Sequence, residues 1–371
     1  MILTSLELTD FRNYPGAYIE FGERKNFLIG NNAQGKTNIL EAIYLLCLSR
    51  SFRTSFEKEA VRFSQTNYTI KGTFKLDNGN IQNVIFHYSQ EKGKQITINR
   101  KRLNRASELI GNFPVVLSSP DEYVITTGPP PGRRKFVDIL LSQIYRKYFS
   151  YLQDYHRIIQ QRNKILLNWK LSGVKTFSII DTWDQRLVEV GSKIIEYRHQ
   201  FAISFSEISS KIYSELVADN EELTFEYKPN VAFDERNNIQ IDFLSRLKQM
   251  RSQEIQRGTS LIGPHRDEFV FNINGQELRK YGSRGQHKTV LVSLAIAQFN
   301  IIKEKVQEVP IILIDDLYSE IDGERKNKII EILNKMGQVF ITSTSMHENN
   351  MLNKDDKYQF INEGKIKSIA N

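Results

Sequence analysis

Residues 30–37 carry the most specific chemical signal in the chain. They form the sequence Gly-Asn-Asn-Ala-Gln-Gly-Lys-Thr, which fits the phosphate-loop pattern between an apolar run and an amphipathic helix. The glycines let successive backbone N–H groups point at phosphate oxygens, and the helix N-terminus adds partial positive charge. Lys36 then reaches the outer phosphates, and the hydroxyl of Thr37 is a ligand for magnesium. The motif therefore predicts a nucleoside triphosphate site with Mg²⁺.

The nucleotide contacts are assigned to the loop, to the residue that follows it and to one downstream arginine. The assigned residues are Gly30, Asn31, Asn32, Ala33, Gln34, Gly35, Lys36, Thr37, Asn38 and Arg53. For Arg53 two roles stay open, because this arginine either reaches the nucleotide or only braces the lobe around it.

An apolar run at 311–314 ends in two carboxylates, Asp315 and Asp316. At the end of a strand, one carboxylate can hold magnesium, usually through water, and the next can polarise the attacking water. We assign Asp315 to the metal together with Thr37, and Asp316 to catalysis together with Lys36. An acidic turn after a buried strand is the alternative interpretation, but a phosphate loop upstream favours catalysis.

The segment Ser283-Arg284-Gly285-Gln286 precedes a second apolar helix. Its small residues allow an anion to approach the N-terminus of that helix closely. A single nucleotide does not need two phosphate-binding helix starts on the same face. The segment is therefore a second candidate anion contact besides residues 30–37.

The elements that must position these residues follow from hydrophobic periodicity. Alternating runs separated by turns before residue 118 predict a β-rich lobe around one helix that starts at Lys36. The Gly-Pro-Pro-Pro-Gly segment at 128–132 has no interior compatible with a helix, which predicts a boundary. Beyond it, an apolar stripe from Trp183 to Ile212 predicts a helix packed on an earlier helix, and short strands return after about residue 257.

The order of these motifs resembles ABC-type ATPases, and the chain is similar to the RecF family within that class over essentially its whole length. The segments that carry the resemblance are 8–14, 31–34, 51–54, 119–122, 133–138 and 263–267. The resemblance implies an α/β fold: a two-lobed phosphate-loop ABC-type ATPase head with a mixed sheet, a β-rich N-terminal lobe and an inserted helical domain. The expected parts are 1–128 (head, N-terminal part), 129–257 (mainly helical insertion) and 258–371 (head, C-terminal part).

The resemblance also implies a function. In this class Ser283, Gly285 and Gln286 would form a signature that caps the nucleotide of a second head, and Ser319 and Asp322 would belong to the D-loop. The family resemblance implies a bacterial cytoplasmic recombination-repair mediator that binds ATP and forms a homodimer on double-stranded DNA near single-strand gaps. It further implies that the protein acts with RecR, and indirectly with RecO and RecA, and that it promotes the loading of RecA. Its hydrolysis of ATP would be weak, stimulated by DNA, and would serve as a switch.

Three positions depart from the ABC pattern. Asp316 is one methylene shorter than the glutamate that many ABC ATPases have there, which favours slow hydrolysis. The switch histidine and the Q-loop glutamine are replaced, and several candidates stay open. They are Ser343, Thr344 and His347 for the histidine, and Asp121 and Glu122 for the glutamine.

Composition limits the remaining function classes. A net charge of +8 and a pI near 9.2 favour polyanionic partners. The single cysteine, Cys47, lies in an apolar run and excludes both an internal disulfide and a zinc cluster. Clusters of arginine and lysine could neutralise DNA phosphates, although each cluster is also compatible with a solvated face. Arg133 and Arg134 could instead bind a carboxylate or start a helix. The candidate DNA contacts are Arg100, Lys101, Arg102, Arg133 and Arg134.

Two other functions are compatible with the same motifs. A nucleotide-binding subunit of a membrane transporter is disfavoured by the β-rich first lobe, the interrupted head and the missing Q-loop glutamine. A nucleotide-sensing scaffold with negligible hydrolysis stays open, because the same residues serve binding and cleavage.

Overall fold

In a computed structural model, residues 1–174, 176–217, 221–232, 238–316, 323–344 and 356–369 are described. The chain divides into two compact units. The first contains residues 1–123, 215–218 and 283–371, and the second contains 124–214 and 219–282. Residues 258–282, grouped above with the C-terminal part of the head, cluster with the second unit.

The described strands and helices follow in chain order. The strands are β1 (Ile2–Phe11), β2 (Tyr14–Glu20), β3 (Lys25–Ile29), β4 (Asn67–Lys75), β5 (Ile81–Ser89), β6 (Gly93–Ile98), β7 (Lys101–Arg102), β8 (Val115–Ser118), β9 (Leu223–Lys228), β10 (Glu268–Ile273), β11 (Gln276–Glu277), β12 (Ile311–Ile314), β13 (Val339–Ser343), β14 (Lys357–Asn362) and β15 (Lys365–Ile369). The helices are α1 (Lys36–Leu48), α2 (Tyr123–Thr127), α3 (Pro130–Ile144), α4 (Arg146–Ser172), α5 (Phe177–Leu216), α6 (Ile239–Arg257), α7 (Leu278–Tyr281), α8 (Arg284–Lys305) and α9 (Gly323–Leu333).

The first unit is built on two six-stranded sheets. One is antiparallel with the order β2-β1-β4-β5-β6-β7, and the alternating runs of the sequence predicted β1, β2 and β4 to β6. The other sheet has the order β15-β14-β3-β13-β12-β8 and is parallel except for the antiparallel pair β14 and β15. A mixed sheet beside a β-rich lobe is the predicted architecture of the head. The hairpin of β14 and β15 was not predicted from the sequence.

Helix α1 contacts strands of both sheets. Eleven of its thirteen residues are buried, so the helix predicted to be amphipathic is instead enclosed on nearly every side. Cys47 is among the buried residues, in agreement with its place in an apolar run, and burial raises the pKa of its thiol. Because the helix is enclosed, its N-terminus is fixed in position.

The second unit combines helices α3 to α6 with a three-stranded sheet of order β11-β10-β9. The predicted stripe lies on α5, where Phe205 contacts Phe136 of α3 with ring centroids 5.8 Å apart. The interpretation of 128–132 as incompatible with a helix is wrong, because α3 begins at Pro130. Proline is tolerated in the first turn, since the N–H groups there have no acceptor within the helix anyway. Among the described helices of the chain, none has the length and apolar character needed to cross a bilayer.

Buried arginines organise the second unit around the segment 263–267. Arg198 is 2% exposed and donates to the carbonyl of Pro264 (2.6 Å), to Asp267 (2.8 Å) and to Asp138 (2.8 Å). Arg162 is fully buried and pairs with Asp184 and Glu254. Removing one partner of such a buried pair costs about 3–5 kcal/mol, because it leaves a charge without compensation. The turn at 263–267 is therefore held by charges that no local sequence pattern predicted.

Candidate nucleotide-binding site

The order of the parallel strands brings the two predicted motifs to one edge of the mixed sheet. Strand β3 leads into the loop at 30–35, and β12 ends just before Asp315. Strand β13 lies between them, so Thr342 and Ser343 at its carboxyl end separate the loop from the carboxylates. In parallel sheets of this kind ligands bind at the carboxyl ends of the strands.

Backbone conformation shapes the loop. Gly35 has a φ of 116°, and an added Cβ there would lie 2.8 Å from the hydroxyl of Tyr14 and from the side-chain amide of Asn13. Ala33 also lies in the left-handed region, with a φ of 63°. No side chain caps α1, since Gly35 stands at the N-cap. The first N–H groups of the helix are therefore available to an anion.

Lys36 closes the loop on itself. Its ammonium donates to the carbonyl oxygens of Gly30 (2.6 Å) and Asn31 (2.8 Å). Burial lowers the pKa of Lys36, while the carboxylates of Asp315 and Asp316 oppose that shift. These two carbonyls accept the hydrogen bonds that the Lys36 ammonium would otherwise donate to a bound phosphate.

Asp315 meets two threonine hydroxyls. Oγ1 of Thr37 lies 2.9 Å and 3.0 Å from its two carboxylate oxygens, and Oγ1 of Thr342 lies 2.7 Å from Oδ1. Burial raises the pKa of Asp315, and the hydrogen bonds from Thr342 and Thr37 oppose the rise. The N–H of Asp316 donates to Oγ1 of Thr342 (2.8 Å), and Asp316 has a φ of 53°. Thr342, which was not assigned from the sequence, thus links the carboxylate of Asp315 to the backbone of Asp316.

Glu41 is a buried anchor that the sequence analysis also missed. It is 0% exposed, and Arg12 approaches both of its oxygens, with distances of 2.5 Å and 2.9 Å. Ser51 donates to the same carboxylate (2.5 Å), and Arg53 lies 3.4 Å from it while donating to Asn38 (2.7 Å). Arg53 therefore contacts Glu41 and Asn38 and also lines the nucleotide pocket, so both roles considered for it are geometrically compatible.

The hairpin between β14 and β15 packs against the phosphate loop. Gln34 accepts the N–H of Glu363 through its side chain (2.6 Å) and the N–H of Gly364 through its carbonyl (3.2 Å). From the other side, the amide of Asn13 donates to the Gln34 carbonyl (2.9 Å), and its oxygen accepts from Asn38 (2.8 Å). The loop is held between two segments that lie more than 300 residues apart in sequence.

A pocket of about 540 Å³ opens over these groups. Its lining contains most of the predicted nucleotide contacts, both carboxylates, and two of the candidates for the switch position. The lining residues are Asn32, Ala33, Gly35, Lys36, Thr37, Asn38, Arg53, Pro120, Asp315, Asp316, Thr342, Ser343 and Thr344. The other three predicted contacts do not line the pocket. The carbonyls of Gly30 and Asn31 accept from Lys36, and Gln34 contacts the hairpin of β14 and β15.

Other predicted residues lie away from this pocket. Asp121 and Glu122 follow Pro120 in a short 3₁₀ turn but do not line it. Ser319, Asp322 and His347 lie outside the described residues. Ser283 caps α8: its hydroxyl accepts the N–H of Gln286 (3.2 Å), and its own N–H donates back to that side chain (2.9 Å). Ser283 is exposed, and neither it nor Gly285 nor Gln286 lines the pocket of the same chain.

The candidate DNA contacts fall into two groups. Arg100, Lys101 and Arg102 are exposed at the turn between β6 and β7. Arg133 is 4% exposed and donates to Glu268 (2.9 Å), which is the carboxylate contact considered as the alternative. Arg134 donates to the carbonyl of Asp267 (2.6 Å).

Known proteins resemble this chain over its full length. The DNA replication and repair protein RecF of Streptococcus suis is 36% identical over 366 residues, covering 99% of each chain. The protein of the same name from Staphylococcus aureus is 34% identical over 371 residues, covering 99% of this chain and 100% of that one. The structure of the recombination mediator protein RecF-ATP in the RecFOR pathway superposes with a TM-score of 0.92 at 32% identity, covering 99% and 97% of the two chains.

More distant structures share the fold alone. The Smc head domain of Pyrococcus furiosus, bound to the C-terminal domain of ScpA, matches with a TM-score of 0.55 at 14% identity, covering 99% of this chain and 95% of that one. The family model of the RecF/RecN/SMC N-terminal domain matches residues 2–367. With this match and full-length relatives above 30% identity, the chain belongs to the RecF family of ATP-binding, SMC-type ATPase heads.

Proposed function

We propose that this chain is an ATP-dependent recombination-repair mediator that uses slow hydrolysis of ATP as a switch. In the bacterial cytoplasm it forms a homodimer on double-stranded DNA near single-strand gaps, acts with RecR and indirectly with RecO, and promotes loading of RecA. The convergence of Lys36, Thr37 and Asp315 in one pocket carries the nucleotide part of the proposal. Relatives described along their full length as replication and repair proteins favour repair over membrane transport.

The donor set at the pocket fits Mg²⁺. Thr37 and Asp315 offer only oxygen atoms, which this hard cation prefers, and those oxygens already lie 2.9 Å apart. When bound, Mg²⁺ neutralises charge on the phosphates. Asp315 must be ionised for this role, so its raised pKa makes metal binding weaken on acidification at a higher pH than for an ordinary aspartate.

The residues of the chain itself supply the remaining steps. Lys36 exchanges the carbonyls of Gly30 and Asn31 for phosphate oxygens, and the N–H groups at the start of α1 hold the same phosphates. Asp316 orients the attacking water. Its side chain is one methylene shorter than a glutamate, which favours slow cleavage.

The second half of the site comes from a second copy. Ser283 is exposed at the N-terminus of α8, and although its oxygen accepts from Gln286, its hydroxyl proton stays available to a phosphate. The helix start then contributes the partial positive charge that an ATP-bridged dimer needs. Ser283→Arg places a bulky cation at this contact.

Sizing in solution, with and without ATP and duplex DNA, tests the switch. We expect the native chain to dimerise with ATP, Lys36→Met to lose nucleotide binding, and Ser283→Arg to bind nucleotide but stay monomeric. If Ser283→Arg still dimerised with ATP, the site shared between two copies would be refuted.

A single-turnover experiment separates the switch from a scaffold that binds ATP without cleaving it. Asp316→Asn removes the charge and keeps a residue that tolerates the left-handed backbone at this position, so it isolates the chemistry. We expect cleavage to slow at least tenfold, as for removal of a general base. Equally slow cleavage by both proteins would show that Asp316 is not catalytic.

A further inference from the structure

The turn between β6 and β7 has an unusual residue at its tip. Strand pairing leaves Asn99 and Arg100 as a two-residue loop, and both have positive φ values, 48° and 68°. Two positive values in a two-residue hairpin define a type I′ turn, whose second position strongly favours glycine. An L residue with a side chain is strained there, whereas glycine is not.

Two other hairpins provide a comparison within the same chain. Asn274 and Gly275 connect β10 to β11 with φ values of 50° and 76°, and Glu363 and Gly364 connect β14 to β15 with 49° and 73°. Both have glycine at the second position. At Gly275 an added Cβ would meet nothing within 4 Å, so space alone does not demand glycine there. Arg100 departs from this pattern in spite of the conformational cost.

The rest of the turn is held firmly. The side chain of Asn99 accepts the N–H of Asn83 (2.8 Å) and donates to Gln82 (2.8 Å), while its backbone N–H donates to the carbonyl of Asn83 (2.9 Å). Arg100 is therefore displayed from a rigid support. Little conformational freedom of the backbone would be lost when it binds a ligand.

The cations at the tip have no internal partner. Arg100, Lys101 and Arg102 are consecutive and exposed, and none of their side chains forms an ion pair or hydrogen bond with any residue that the structure describes. Arg133 and Arg134, in contrast, are already engaged by Glu268 and by the carbonyl of Asp267. Three adjacent unpaired cations suit a polyanion with closely spaced charges, as in the backbone of duplex DNA.

We propose that the β6–β7 turn is a phosphate-binding contact for duplex DNA, with Arg100 at its centre and Lys101 and Arg102 beside it. This inference rests on the DNA binding of the proposed function and assigns it a place on the molecule. A phosphate contact of Arg100, which lies at the tip of the turn, would offset the cost of the strained backbone. The contact is to the backbone and has no sequence preference.

The test measures binding to a fluorescent duplex by anisotropy, with ATP and Mg²⁺, over a range of salt concentrations. Loss of one phosphate contact lowers the slope of log K against log salt by about 0.9, which is about eightfold in affinity at 0.1 M salt. We expect this loss for Arg100→Gly, and near-native binding for Arg100→Lys, which keeps the charge. The matched control is Lys335→Gly, which removes one exposed cation from the turn after α9.

Stability should move in the opposite direction from binding. Because glycine relieves the strain of the left-handed backbone, the thermal unfolding midpoint of Arg100→Gly should rise by about 2 °C. A double variant, Lys101→Gln with Arg102→Gln, leaves the turn untouched and should lower the salt slope by about 1.8.

The possible failures are distinguishable. If the native chain binds no duplex with ATP, the proposed function itself fails. If the native chain binds but Arg100→Gly and the double variant keep its affinity and slope, the turn is not the contact, and an acidic protein becomes the better partner for it. An equal loss in Lys335→Gly would also overturn the proposal, because net charge would then explain the effect.

Discussion

Substitution of Gly30 by alanine tests how the hairpin of β14 and β15 controls the nucleotide site. An added Cβ at Gly30 would lie 2.2 Å from the carbonyl oxygen of Ile361, whereas real Cβ atoms keep at least 3.0 Å from such neighbours. One of the two backbones must therefore move by about 0.8 Å. Gly30 begins the loop that carries Lys36 and leads to the N-terminus of α1, so the movement displaces the phosphate donors of the loop as well. A misplaced donor loses a charge-assisted hydrogen bond worth about 1.5–3 kcal/mol, so we expect ATP affinity to fall by about 10- to 150-fold.

Calorimetric titration with ATP and Mg²⁺ measures the effect. The matched control is Gly16→Ala in β2, where an added Cβ meets nothing within 4 Å, and we expect it to bind ATP like the native chain. Circular dichroism checks that both variants are folded. If Gly30→Ala bound ATP as tightly as Gly16→Ala, close packing of β14 on the loop would not control the site, and this reasoning would be wrong.

Two further predictions concern buried charged and titratable groups. Glu41→Gln leaves Arg12 and Arg53 without their anion and should destabilise the first unit by about 2–3 kcal/mol, less than a fully buried pair because Arg12 is partly exposed. Hydrogen exchange of α1 measures this, the exposed Glu59→Gln is the control, and equal protection in both variants would contradict it. Burial lowers the pKa of His265 to about 4, so the folded state disfavours its protonation. Stability from this group is complete above about pH 6.5 and falls as the pH drops toward 4, by about 2 kcal/mol at pH 5. Urea unfolding followed by Trp169 and Trp183, both in the second unit, checks this. A pH dependence between 7 and 5 that His265→Gln leaves unchanged would refute it.

The neutral form of His265 has a structural cause. Its Nε2 lies 3.2 Å from the carbonyl of Ser260, which can only accept, so this nitrogen carries the proton. Nδ1 then accepts from the hydroxyl of Tyr155 (2.6 Å). A second proton on the ring would convert this acceptor into a donor and break the bond from Tyr155. The same hydrogen bonds hold the turn at 263–267 against α4 and the carbonyl of Ser260.

Local sequence was sufficient for the parts of the site that depend on neighbouring residues. The phosphate loop, the pair Asp315 and Asp316 after a strand, and Ser283 at a helix start are contiguous patterns with a direct physical meaning, and the structure has them on the predicted elements. The alternation of β1, β2 and β4 to β6 likewise depends only on which face of a strand is buried. The local sequence led to a wrong prediction at Pro130, which starts α3, because the position of a proline within a helix decides whether it is tolerated.

Only the tertiary structure decided how these pieces meet. No local signal places β13 between β3 and β12, so the bridge that Thr342 forms between the Asp315 carboxylate and the Asp316 backbone could not be read from the sequence. Glu41 looks like any acid on a helix until packing encloses it and brings Arg12 and Arg53 to its oxygens. The hairpin behind Gly30 comes from the far end of the chain. Composition and spacing determine which elements form, whereas the pairing of distant strands and the burial of charges depend on contacts that exist only once the whole unit has folded.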